Sequence, residues 1–332
     1  MEPAAIQQLF FQKIKESMPA HLSFVDDIAD LLDISNDSVY RRIRGEKSIS
    51  LEEVQKLCAH YKISMDQFLN LQTDSFIFKG QLNDKTEGSF DAWMTHVTQN
   101  FQLFNSFEKR HLTVLMKDIP PFVHFQVPEL ALFKFYFWMK SILHYESFKG
   151  VKFDMEDERL QQYLPASNKI INLYHSVPMT EIWNVESVNS SIRQINFYHE
   201  SGLIKHKATT FLLYDKLEQL VNHIELQAEH GLKFGIGSAP MANASAYRLF
   251  VNELILGDNT YLAELNGTRI IFLNHSVLYY VATSDQRLTT SIVENLQNLE
   301  RKSTMISTIG EKERAVFFNT IRKKIQHRKS LL

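Results

Sequence analysis

The sequence predicts a mainly α chain with a C-terminal α+β part, and three observations predict it. Short amphipathic segments separated by tight, capped turns fill the first seventy residues. Aromatic and aliphatic residues then recur at helical spacing through the middle of the chain. From about Lys233 the period shortens to that of strands, with Gly257-Asp258-Asn259 and Asn266-Gly267 as turn signals between apolar runs, the pattern of an antiparallel meander flanked by helices. The 332 residues suffice for two or three domains, each with its own core. Three divisions are expected: a helical bundle over 1–72, a polar linker over 73–88, and a helical plus α+β region over 89–332 with a further sub-boundary near 231. At 44% hydrophobic and 22% charged residues the chain is expected to fold throughout, with no metal or disulfide needed.

In the first division Ser23 and Asp26 form a capping pattern that opens a helix over about 24–32. Ile28, Leu31 and Leu32 share one face of it, and Ala29 is small enough for another helix to approach closely. After Asp33 and Ile34, Ser35 caps a second helix that runs to about Arg44, and Gly45 ends it. Two short helices joined by so tight a turn form a helix-turn-helix. On the second helix Val39 and Ile43 point together toward the core, while Asp37, Tyr40, Arg41 and Arg44 fall on the opposite side. A face with hydrogen-bonding side chains near a helix N-terminus suits insertion into a major groove. Ser50 and Glu53 make another capping box ahead of the stripe Leu51, Val54, Leu57, Cys58 and Tyr61, and a last short helix is capped by Ser64 and ends near Leu69.

The net charge of −2 is unevenly spread. Residues 1–72 hold 8 Lys/Arg against 11 Asp/Glu, residues 73–300 hold 19 against 25, and residues 301–332 hold 9 against 2. The bundle is thus acidic overall, yet Arg41, Arg42, Arg44 and Lys47 cluster on one helix and the turn after it. Either these cations are a solvated face, or they meet a polyanion, and local geometry must decide.

The run Asp27-Ile28-Ala29 through Ile34-Ser35-Asn36-Asp37-Ser38-Val39-Tyr40-Arg41-Arg42-Ile43-Arg44-Gly45-Glu46-Lys47, followed by Ser50-Leu51-Glu52-Glu53 and Ile63-Ser64-Met65-Asp66, resembles the phage-repressor-like (Xre/Cro type) DNA-binding domains. Within them it is most similar to the BetR-type regulators of Bacteroidetes. The resemblance covers about the first fifth of the chain and implies a lambda-repressor-like bundle. It further implies that Asn36, Asp37, Ser38 and Arg41 touch base edges, with Tyr40, Arg44 and Lys47 near phosphates and Arg42 in the same cationic cluster. Arg41 could bond guanine bidentately and Asn36 could pair with adenine. Asp37 either accepts from cytosine or only favours the helix dipole. Two positions depart from the pattern: Asp33 replaces the usual turn glycine, and Val25-Asp26-Asp27 stands where a phosphate-binding glutamine is common.

Past the linker, Trp93, Val97, Phe101 and Phe104 repeat at helical spacing, and Glu129 to Leu143 reads as a buried helix, too short to span a bilayer. Ile119-Pro120-Pro121-Phe122 interrupts the helices between them. Further helices are expected over 168–174, 188–200, 208–230, 288–301 and 311–329, and strands over 247–256, 260–265, 269–274 and 276–282. The last helix presents Arg322, Lys323, Lys324, Arg328 and Lys329, read as a solvated face or as a surface for DNA or an acidic partner. Similarity to the regions that accompany such DNA-binding domains in Bacteroidetes runs through the aromatic helix, residues 181–186 and the approach to Ile195-Asn196-Phe197-Tyr198; it implies no ligand or catalytic residue.

No enzyme, metal or cofactor is expected. His223 and His230 lie seven apart, wider than helical metal ligands require, and Phe234-Gly235-Ile236-Gly237-Ser238 is only half of a nucleotide motif. Cys58 is the sole cysteine and the first twelve residues lack the pattern of an export signal, so a reducing, cytoplasmic setting is expected. The expected partners are double-stranded DNA, a second copy of the chain and an unidentified small-molecule effector, with no membrane. The alternative expectation is a protein-interaction or signal-receiving protein whose helix-turn-helix does not bind DNA.

Overall fold

Residues 3–17, 23–61, 63, 65–69, 76–80, 86–254 and 257–332 are described by a computed structural model. They divide into two compact units, Met1–Ile77 and Phe78–Leu332. Among its described residues the first unit forms five helices: α1 (Pro3–Ser17), α2 (Phe24–Leu32), α3 (Asn36–Ile43), α4 (Leu51–Tyr61) and α5 (Met65–Phe68). Its core is small and closed, with Ile14, Ile28, Val39 and Leu57 fully buried beside Phe10 and Phe11. Phe10, Phe11 and Ile14 come from α1, whose apolar spacing closes the bundle from behind the α2–α3 pair. Ser64, expected as a cap, lies outside the described residues.

The second unit is built on one mixed sheet. Before and between its first strands lie α6 (Ser89–Ser106), α7 (Pro128–Phe137), α8 (Glu158–Gln161), α9 (Leu164–His175), α10 (Asn189–Glu200) and α11 (Lys207–His230). The strands are β1 (Lys79–Gly80), β2 (Arg110–Met116), β3 (Met179–Trp183), β4 (Tyr247–Val251), β5 (Thr260–Leu265), β6 (Thr268–Asn274), β7 (Tyr280–Thr283) and β8 (Thr304–Met305), with α12 (Gln286–Arg301) and α13 (Glu311–Lys329) near the end. Their order across the sheet is β1-β7-β6-β5-β2-β3-β4-β8. β2, β3 and β4 run parallel, and every other pairing is antiparallel.

Alternation along the central strands sorts side chains to two faces. Leu115, Ile182, Phe250, Leu262 and Ile271 face α12 through Val293 and Leu296. Leu112, Val114, Met179, Trp183, Leu249 and Ala263 join the large aromatic core with the helices of the other face.

Four expectations change here. The meander is β5-β6-β7 only: residues 247–251 leave it and pair in parallel with β3, so Gly257-Asp258-Asn259 is part of a crossover and not of a hairpin. Asn266 and Gly267, with φ of 47° and 89°, do form the two-residue turn that joins β5 to β6. The expected sub-boundary near 231 does not divide two cores, because the sheet draws β2 and β3 from before it and β4 to β8 from after it. Within the expected linker over 73–88, Lys79 and Gly80 are paired with β7. The expected helix over 129–143 stops being α-helical at Phe137 and continues as a π-helical turn, Trp138–Ile142.

One polar island sits inside the aromatic core. Glu181, 1% exposed, accepts hydrogen bonds from Tyr174 Oη (2.8 Å), Tyr247 Oη (2.7 Å), Trp183 Nε1 (2.9 Å) and Lys233 Nζ (3.1 Å). The Lys233 ammonium also lies over the rings of Tyr174 and Tyr247. Burial alone would raise the Glu181 carboxyl, but Lys233 and the two tyrosines outweigh it and hold it below the usual range. The network ties β3, β4, α9 and the segment after α11 to each other.

Candidate nucleic-acid interface

The turn between α2 and α3 is tight because Asp33 takes the left-handed conformation, φ 53° and ψ 53°, and Ile34 N–H closes back on Ala29 O at 3.1 Å. Aspartate enters that region more readily than most residues, so it can stand in for glycine. Ser35 caps α3, its Oγ accepting from Ser38 N–H, and Gly45 (φ 77°) ends the helix. Ser23 behaves otherwise than expected: it makes no side-chain cap bond.

α3 is anchored from two sides. Val39 is fully buried under it. At its C-terminal end, Gln7 of α1 donates Nε2 to Arg42 O (2.7 Å) and Lys47 O (2.8 Å) and accepts from Ile49 N–H (3.0 Å), while Gln8 donates to Arg44 O (2.8 Å). These glutamines satisfy carbonyls that the end of a helix leaves unpaired. No motif marks these glutamines in the sequence; the one signal for them is the apolar trio Phe10, Phe11 and Ile14, whose spacing places Gln7 on the inner side of α1.

The flank away from Val39 carries Asn36, Asp37, Tyr40, Arg41 and Arg44, all exposed, with Lys47 exposed in the turn after the helix and Ser38 half-buried beside the cap. Arg41 and Arg44 converge on Glu46, Arg44 through two bonds at 2.6 and 3.1 Å and Arg41 at 3.9 Å. Asn36 is engaged within the bundle: its Nδ2 donates to Asp26 Oδ1 at 2.8 Å. Hydrogen bonds from Ser23 and Asn36 hold the Asp26 carboxyl below its usual range, so it is ionised at neutral pH. Its neighbour Asp27 is half-buried and bonded by Tyr61 Oη.

Arg42 departs from expectation. Its side chain is 5% exposed and forks onto Glu53 with Nε–Oε2 at 3.1 Å and Nη2–Oε1 at 2.6 Å, while Nη1 donates to Ser38 O at 3.1 Å. The same Glu53 closes the capping box, accepting Ser50 N–H at 3.0 Å. Arg42 is therefore a buried strut between α3 and α4, and it leaves the set of residues that can meet DNA.

These features form a shallow cationic ridge on a helix held rigidly from behind. Residues 25–68 match the helix-turn-helix family. The chain thus carries an Xre-type helix-turn-helix in its first unit, and the match does not extend to the BetR-type subgroup. No curated protein and no solved structure matches the chain.

Elsewhere the remaining sequence signals resolve into structure. His223 Nε2 bonds Phe234 O (2.8 Å), and among the described residues no His, Cys, Asp and Glu are grouped to hold a metal. Gly235 and Gly237 fall in an irregular segment with no helix after it, the wrong context for a nucleotide loop. On α13, Arg322 pairs with Glu225 (2.5 Å), Lys324 with Glu186 (2.6 Å) and Lys329 with Asp215. Those cations serve internal packing of the second unit. No described helix is long and apolar enough to cross a membrane.

Proposed function

We propose that the protein is a sequence-specific DNA-binding transcriptional regulator that lays the exposed flank of α3 in the major groove. The observation that carries this reading is the helix-turn-helix match over residues 25–68, in a unit whose α3 presents Arg41 and Arg44 outward while its back is locked by Val39, Arg42 and Gln7. A rigid helix with cationic and hydrogen-bonding side chains on one flank is what base readout requires. Arg41 is assigned to a guanine, and Asn36 to an adenine once it exchanges Asp26 for the base edge. Asp37 and Ser38 complete the base-facing end, and Tyr40, Arg44 and Lys47 flank it at the phosphates.

The second unit dimerises the protein or receives an effector, and the operator is an approximate two-fold repeat whose half-sites lie ~34 Å apart. No enzymatic activity is assigned. The finer resemblance to BetR-type regulators belongs to this proposal and rests on the sequence. Binding of the full chain to labelled duplexes at two salt concentrations tests it: the account expects salt-dependent binding whose slope flattens by about one unit in Lys47→Ala. Duplex left unbound at low ionic strength would contradict it.

A second reading has its own support. Residues 1–72 are acidic overall, and Asp26 both holds Asn36 and places a negative charge beside the ridge. Those two facts favour a protein-interaction module that kept the helix-turn-helix shape, and the same salt titration separates the readings.

A further inference from the structure

Where β2 and β3 end and α10 begins, the second unit carries a half-open cavity of about 360 Å3, lined by polar and apolar residues together. Lys134 of α7 lines it, 6% exposed, and among the described residues its Nζ donates to neutral oxygens, Ser191 Oγ at 3.1 Å and Gln194 Oε1 at 2.6 Å. Ser191 Oγ is also bonded to His124 Nε2 at 2.8 Å; His124 is 1% exposed, and among the described residues its Nδ1 makes no close hydrogen bond. Ser190 and Ser191 stand in the first turn of α10, where backbone N–H groups point out of the helix toward negative charge. Asp118 lines the same cavity, accepting from Ser190 Oγ at 2.5 Å. Asn259 fixes that loop by accepting the N–H groups of Lys117 (2.7 Å) and Asp118 (3.0 Å).

A buried ammonium without a carboxylate in contact is costly. Burial, against the pull of Asp118, brings Lys134 down to about 7, so near neutral pH the site is poised between losing a proton and gaining an anion. The cavity has the size of small-molecule sites, ~300–1,000 Å3. Its charge pattern narrows the ligand. Lys117 and Asp258 also line the cavity, but they pair with each other at 2.6 Å and balance in charge. The buried cation Lys134, with hydroxyls and helix amides, is left to receive a carboxylate, whereas Asp118 would repel the second charge of a phosphate and instead accepts from an amine or hydroxyl.

We propose that this cavity binds a small amino-acid-like carboxylate, its carboxylate on Lys134 and Ser191 at the start of α10 and its donor group on Asp118. The inference deepens the effector-receiving half of the proposed function and rests on it, yet ligand binding is read without DNA, so the two can fail separately. The test is calorimetric titration of the full chain with the protein amino acids, the matching acids that lack the amine, and inorganic phosphate. Binding of at least one amino acid is expected, weakened at least about tenfold in Lys134→Met, a variant that removes a buried charge and keeps the fold. Asp118→Asn is expected to weaken the amino acid while sparing its deaminated counterpart, and Ser191→Ala to weaken both. The proposal is overturned if no amino acid binds at millimolar concentration, if phosphate alone binds, or if Lys134→Met retains full affinity in a chain that circular dichroism shows to be folded.

Discussion

Arg42 and Arg41 are adjacent in sequence and opposite in role, and Arg42→Ala tests that separation most sharply. The substitution strips Glu53 of both guanidinium bonds and Ser38 O of a third. Breaking a buried ion pair costs about 3–5 kcal/mol. Glu53 is 18% exposed and keeps its bond from Ser50 N–H, so the lower end applies, about 3 kcal/mol. For a unit of this size that lowers its melting temperature by roughly 12–24 °C. All three tryptophans, Trp93, Trp138 and Trp183, belong to the second unit. Helix signal lost without a change in tryptophan emission therefore reports the first unit alone. The pH dependence has a sign. Burial raises the Glu53 carboxyl, but bonds from Arg42 and Ser50 lower it below its unfolded value near 4.5. The stabilisation is complete above that value and is lost as pH falls through the lower, folded one. In Arg42→Ala this acid-side decline shrinks. A variant that unfolds like the parent, or that stays folded and changes base preference, refutes the assignment.

Other expectations follow from the same geometry. Arg41→Ala leaves stability within about 0.5 kcal/mol and relaxes the preference at one base pair by about 1–3 kcal/mol in competition binding; unchanged selectivity would remove Arg41 from the base-facing set. Asp26→Asn removes a charge beside the ridge and loosens Asn36, so DNA affinity rises a few-fold at low salt, and a loss of affinity would show that Asp26 positions Asn36 instead. Gln7→Ala deletes three bonds at the end of α3 and costs the first unit about 1–3 kcal/mol in chemical denaturation; no loss would mean those groups are equally well served by water. Glu181→Ala leaves Lys233 as a buried, uncompensated charge and destabilises the second unit by about 3–5 kcal/mol, whereas Glu181→Leu combined with Lys233→Met recovers most of it; failure of that recovery would assign the network a role beyond charge compensation.

The helix-turn-helix was legible because its determinants are local. Ser35, Asp33, Gly45 and the Ser50–Glu53 box each act within a few residues, and Val39 lies where a 100° step places it. What failed was long-range. Arg42 lies on the border between the buried and open flanks of α3, and only the position of α4 decides that Glu53 takes it. Arg322, Lys324 and Lys329 read as a cationic face because their acids, Glu225, Glu186 and Asp215, lie far away in the chain. β2 and β3 escaped for another reason: central parallel strands are covered on both faces, and Met179 to Trp183, buried at every residue, shows no alternation to read. The cavity beside Lys134 could not be seen either, since its lysine looks like an interruption in an apolar helix until Ser191 and His124 are placed against it.

Selection of bound duplexes from a random pool by the 332-residue chain tests the central claim most directly. The account predicts enrichment of two-fold-related half-sites about one DNA turn apart, with a guanine whose enrichment disappears in Arg41→Ala. A pool that emerges unenriched at low ionic strength, or whose preference is indifferent to Arg41, would contradict it.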